Sequence, residues 1–155
     1  MTSQKNNPTA RIQPAIVVFV FVILALLLGR TTTILPLAPQ FLSWLGLAVS
    51  ALGLGLGLLA LREFKRMQTF AKSKSSAMNL VTTGVYSYTR NPVNLGFLLI
   101  LIGLPLTGGN YWGLALMPMF IVAMNSLVIQ PEEAQLEKKF KGEYADYKSR
   151  VRRWI

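Results

Sequence analysis

The chain contains no cysteine and no histidine, and only 6 of its 155 residues are acidic. Without cysteine there is no disulfide and no thiol nucleophile; without histidine the commonest general base and the commonest zinc ligand are missing. Enzymes built on those groups are excluded at once, and a bound metal is not expected. The few acids stand against 16 lysines and arginines, for a formal charge of +10. A nucleic-acid domain carries such charge on a soluble face, whereas here the basic residues lie between long uncharged apolar runs. Nucleic acid is therefore not an expected partner. With 52% apolar residues the natural solvent of the chain is a bilayer.

Four uncharged runs are candidate spans, over residues 14–29, 41–61, 93–106 and 111–129. Crossing the hydrocarbon takes about 20 helical residues, so the second and fourth runs suffice outright while the first and third are short. The first follows Lys5 and Arg11 as the core of a signal peptide would, but no small-x-small cleavage site follows Leu28, and it reads as a span. Lysine and arginine fall almost wholly on one side of these spans: before the first, between the second and third, and after the fourth. Only Arg30 falls on the other side. Positive residues stay cytoplasmic during insertion. The sequence thus predicts an all-α integral membrane protein, one domain over 1–155, with about four transmembrane helices and both termini cytoplasmic. A cytoplasmic loop is expected over 62–92, solvated in its Ser- and Lys-rich part over 72–79, and an amphipathic cytoplasmic helix in the tail over 130–155.

Gly53-x-x-x-Gly57 places two glycines on one face of the second span, where a neighbouring helix can approach closely. Asn125 and Ser126, near the cytoplasmic end of the fourth span, fit either a hydrogen bond to a neighbouring helix or the lining of a polar cavity. Spans three and four are joined only by Thr107-Gly108-Gly109-Asn110, which requires an antiparallel hairpin. Their cytoplasmic ends are then neighbours, bringing Tyr86, Arg90, Asn91 and Asn94 towards Glu132 and Glu133. Pro92 fits the first turn of span three, and Pro131 opens a new amphipathic helix whose first turn favours the two acids. On residue chemistry alone, this cluster fits a ligand pocket and a structural ion-pair cluster equally well.

The segment Gly84-Val85-Tyr86-Ser87-Tyr88-Thr89-Arg90-Asn91-Pro92-Val93-Asn94-Leu95-Gly96 is followed by Glu132-Glu133-x-x-Leu136-x-x-x-Phe140-x-x-x-Tyr144-x-x-Tyr147. Together they resemble the isoprenylcysteine carboxyl methyltransferase and phospholipid methyltransferase superfamily, over the half of the chain from about Thr83 onward. In the family's Arg-His-Pro-x-Tyr-x-Gly pattern, Arg90, Pro92 and Gly96 are kept, while Asn91 and Asn94 replace the histidine and the tyrosine. Lys141 separates Phe140 from Gly142, which the family has as a Phe-Gly pair, and Arg152 stands where a proline is usual.

The resemblance implies a membrane methyltransferase that binds S-adenosylmethionine and methylates a lipophilic small molecule or lipid reaching it from the bilayer. It assigns cofactor binding to Tyr86, Arg90, Asn91, Asn94, Gly96, Glu132, Glu133, Leu136, Phe140 and Tyr144, and catalysis to Arg90 and Glu133. Arg90 would hold a carboxylate of cofactor or substrate, and Glu133 is the candidate base for an acceptor that must lose a proton. Two rivals stand beside this reading. Membrane reductases of the steroid-reductase type, which use reduced nicotinamide, resemble the same half of the chain. A non-enzymatic protein could instead bind anionic lipid through Arg62, Lys65, Arg66, Lys72 and Lys74. The tail fits a lid over the cofactor or an interfacial helix anchored by Trp154, and the resemblance favours the lid.

Overall fold

A computed structural model describes residues 13–31, 39–73 and 79–155, with 70–73 described by backbone alone. Lys5, Arg11 and Lys74, the side chain of Lys72 and most of the solvated stretch over 72–79 lie outside the described residues. All regular elements described are helical: α1 (Pro14–Thr31), α2 (Gln40–Ser73), a 3-10 turn (Gly84–Ser87), α3 (Pro92–Thr107), α4 (Trp112–Met124), a π turn (Asn125–Ile129) and α5 (Gln130–Arg150). Three helical stretches are long and apolar enough to cross a membrane, Pro14–Thr31, Gln40–Thr69 and Trp112–Arg150, and α3 is apolar but shorter. The fold is an all-α integral membrane fold.

At 16 residues α3 rises only about 24 Å. It is nevertheless the central helix, packed against α2, α4 and α1. Its pairing with α2 is close because both helices present small residues. A methyl group on Gly96 would sit 2.6 Å from the Gly53 carbonyl oxygen and 3.2 Å from the Gly57 nitrogen, and one on Gly46 would sit 2.7 Å from the Gly103 carbonyl oxygen. Gly53 is therefore a helix contact, whereas a methyl group on Gly57 would meet nothing within 4 Å, so of the expected glycine pair only Gly53 turns its face to α3. On the other side, α1 packs Val17, Val18, Val22 and Ala25 into a cluster with Leu101, Leu116, Phe120 and Met124, where Phe21 meets Phe120 edge to face at 5.5 Å.

The α3–α4 hairpin closes as expected, with Gly109 at φ 71°. Asn110 ties this turn in two directions: its Nδ2 donates to the Ala25 carbonyl oxygen of α1 at 2.8 Å, and its Oδ1 accepts the Trp112 N–H at 2.9 Å.

Two features differ from expectation. The loop expected from residue 62 begins as a continuation of α2 to Ser73. Arg62 to Met67 contains only residues that tolerate a helix, and the Glu63–Arg66 pair at 2.8 Å adds an i,i+3 tie, so nothing stops the helix where hydrophobicity ends. Nor does Pro131 follow a break. α4 runs without a loop through the π turn into α5, and the Gln130 N–H donates to the Asn125 carbonyl oxygen five residues back. The wider turn accommodates a residue that lacks an N–H and crowds the preceding turn. The chain reverses later, at Lys141 (φ 42°, ψ −116°). There Lys148 Nζ comes within 2.7 Å of Glu137 Oε1, two residues that a straight helix would hold about 16 Å apart.

Candidate active site

Because α2 overruns the start of α3, a space opens between the end of α2, the backbone before Pro92 and α5. The segment leading into it is held to α2. Glu63 accepts the Thr83 hydroxyl at 2.5 Å, and Gly84 (φ 62°) passes so close that a methyl group there would lie 3.0 Å from the Glu63 carboxyl carbon. The Tyr147 hydroxyl then donates to the Tyr86 carbonyl oxygen at 2.7 Å, fixing the 3-10 turn to the returning arm of α5. Behind it, Leu80, Tyr144 and Tyr147 are buried together, with Leu136, Phe140 and Val151 against them.

The result is a cavity of about 570 Å³ with a mixed lining. Tyr86, Arg90, Asn91, Asn94, Glu132, Glu133 and Tyr144 contribute polar groups to it, while Pro14, Leu61, Phe64, Val81, Val93, Leu136 and Phe140 contribute apolar surface. Nine of the ten residues that the resemblance assigns to the cofactor border this space. Gly96 does not; it lies one helical turn further along α3, against Gly53.

Glu133 is the electrostatic centre. It is 7% exposed, and both its oxygens are engaged. Arg153 grips it in a fork, Nε to Oε1 at 3.1 Å and Nη2 to Oε2 at 2.7 Å, while Arg90 Nη1 reaches Oε1 at 3.1 Å. Arg90 Nη1 also donates to the Tyr144 hydroxyl at 3.3 Å, and its Nε is buried with no hydrogen-bond partner among the described residues. Burial first, then the Glu132 carboxylate, push the Tyr86 phenol above its usual range, so Tyr86 remains a hydroxyl at neutral pH. Asn94 is buried and donates to Asn91 Oδ1 at 3.3 Å.

Sequence reasoning gave no site role to the segment Val151–Trp154, in which Arg153 read only as a topology signal. The Arg152 carbonyl oxygen accepts the Arg90 N–H at 3.0 Å. The Arg153 carbonyl oxygen accepts both the Thr89 hydroxyl at 3.2 Å and Asn91 Nδ2 at 3.0 Å. Trp154 packs against the main core and donates its indole N–H to Asn125 Oδ1 at 3.1 Å. Of the two uses open to Asn125, the structure shows a hydrogen bond, made to this segment. No group of His, Cys, Asp or Glu among the described residues could hold a metal ion.

A cavity lined by both charge-paired and apolar residues can hold a charged small molecule beside a lipophilic one. The chain is similar to known proteins. Over 107 residues it is 31% identical to a protein-S-isoprenylcysteine O-methyltransferase of Schizosaccharomyces pombe, a match covering 62% of this chain and 45% of the yeast enzyme. It therefore spans less than half the length of that relative. Over 61 residues it is 43% identical to an uncharacterized protein of Haemophilus influenzae, covering 39% of this chain and 97% of the other. No solved structure matches. Residues 41–143, from the start of α2 past Glu133 to the bend in α5, match the phospholipid methyltransferase family, and the chain belongs to that family.

Proposed function

We propose that this chain transfers a methyl group from S-adenosylmethionine to a lipophilic acceptor held in the membrane, at a site on the cytoplasmic face. The observation that carries the reading is the cavity of mixed lining, whose polar residues include a buried arginine with an uncommitted Nε. Its volume lies in the usual range for small-molecule sites, roughly 300–1,000 Å³. The donor set fits the cofactor. Arg90 can hold a carboxylate, Glu132 and the Asn91 and Asn94 amides can meet amino and hydroxyl groups, and Tyr86, Phe140 and Tyr144 offer ring surface.

Bound there, S-adenosylmethionine would supply a methyl group already activated by a positively charged sulfur. The chain's own residues then have to align two partners and exclude water, because an in-line displacement depends on orientation. Glu133 holds Arg90 in place and is itself held by Arg153. It could serve as a base only by loosening that pairing, so an acceptor already ionised at neutral pH would suit the site without rearrangement. Leu61 and Phe64 of α2, among the lining residues, offer apolar surface to a lipophilic tail. The family match supports methyl transfer over nicotinamide-dependent reduction. It also gives the motifs a role that the lipid-binding alternative leaves unused.

Calorimetry on detergent-purified protein tests the proposal, with S-adenosylmethionine or its demethylated product titrated into wild type, Arg90→Ala and Glu133→Ala. Micromolar binding by the wild type and its loss in both variants are expected. Folded wild type that ignores both ligands, or takes up reduced nicotinamide instead, would overturn the assignment.

A further inference from the structure

On α4 the buried positions are Gly113, Leu116, Phe120 and Met124, three or four residues apart, as one face of an α-helix requires. Continued at the same period, that face would next present Leu127 or Val128, then Pro131, then Ala134 or Gln135. Val128 still keeps to that face, but the buried positions then step to Ile129 and Glu133, with Glu132, Leu136 and Phe140 half-buried, while Pro131, Ala134 and Gln135 are exposed. The π turn takes up one extra residue and so rotates everything after it by about 100°. That rotation decides which of two adjacent glutamates enters the ion-pair cluster. With it, Glu133 lies between Arg90 and Arg153, and Glu132 lies beside it on the cavity wall.

Asn125 is where this rotation is set. Its backbone oxygen accepts the bond from Gln130 that defines the π turn, and its side-chain oxygen accepts the Trp154 indole N–H. Trp154 in turn follows the two residues whose carbonyl oxygens are bonded to Arg90, Thr89 and Asn91. Pro131 permits a wide turn at this place but does not select its phase, since without an N–H it closes neither an α nor a π bond. We propose that the Trp154–Asn125 bond is a brace that fixes the rotational phase of α5, making Trp154 a positioning residue for Glu133. Its effect on ligand binding, though not on helix phase, rests on the methyl-donor site proposed above.

The brace is tested with Trp154→Phe, which keeps a ring and removes the donor, with Asn125→Leu, which removes the acceptor at similar volume, and with the double variant. Each is titrated with the demethylated cofactor. Each background also receives Leu136→Cys, a sole cysteine on the cavity side of α5, and its rate of labelling by a water-soluble maleimide reports helix phase. Each single change is expected to weaken binding at least about fivefold, with the double change no worse than the singles because both remove one bond. Labelling of the thiol at position 136 is expected to quicken in all three backgrounds. Unchanged labelling overturns the brace whatever happens to affinity, and so do losses that multiply in the double variant. Should the wild type bind no cofactor product, the proposed function fails, and the labelling rates alone decide the brace.

Discussion

Lys141 is the only non-glycine among the described residues at positive φ. Its φ of 42° and ψ of −116° match the first central position of a type II′ turn, which glycine ordinarily fills. Holding a lysine there costs on the order of 1–3 kcal/mol. The bend is worth that cost because it returns Tyr144 and Tyr147 to Leu80 and brings Tyr144 to Arg90. Lys141→Gly is therefore expected to stabilise the fold by about 1 kcal/mol, after the entropy glycine loses on folding. Gly142→Ala should change little, since an added methyl group there meets nothing within 4 Å. Thermal unfolding in detergent measures both, and a less stable Lys141→Gly would show that the lysine does something the backbone does not explain. The displaced Phe-Gly pair marked this place in the sequence, but nothing in a lysine signals positive φ. Arg153 was hidden for a different reason. In a basic tail each arginine already has a sufficient account in topology, and only the bend shows which one reaches Glu133.

At the scale of helices, α2 and α3 are joined by backbone approach more than by interlocking side chains. Lipid offers no hydrophobic incentive for two apolar helices to meet, so contact depends on dispersion between surfaces that can come close. Gly96→Ala should be costly because its methyl group would lie 2.6 Å from the Gly53 carbonyl oxygen, and a backbone atom cannot step aside as a side chain can. A loss of about 1–3 kcal/mol is expected, in the range of overpacking. Gly55→Ala on the same α2 helix meets nothing within 4 Å and should be neutral or slightly stabilising. Denaturant unfolding of the two variants side by side checks the contrast, and equal effects would remove the glycine contact from its place in the fold. The hairpin and the close approach at Gly53 were readable because short turns and small residues in a span admit few geometries, although Gly57 leaves its face open. The run of α2 to Ser73 and the π turn were not. A polar helical extension looks like a loop in a hydropathy reading, and Pro131 suits the first turn of a helix whether or not a break precedes it.

Among the described residues, charge and site lie at the same end, with Arg30 as the exception. Every acidic residue, from Glu63 through Glu132, Glu133, Glu137 and Glu143 to Asp146, falls in the polar stretches that border the cavity or follow it, while Arg30 lies at the far end of α1. Arginines and lysines that remain on the cytoplasmic side during insertion would place the cavity there, within reach of a water-soluble methyl donor. The chain's lack of cysteine makes this orientation directly measurable. Thr31→Cys, at the exposed end of α1, and Ser149→Cys, in the exposed last turn of α5, each introduce a sole thiol. In sealed right-side-out vesicles an impermeant maleimide is expected to label the thiol at position 31 at once and the one at position 149 only after permeabilisation. The opposite order would put the cavity on the outer face, away from the cytoplasmic pool of donor, and the proposed reaction would lose its source of methyl groups even if the fold and the ion-pair cluster stood as described.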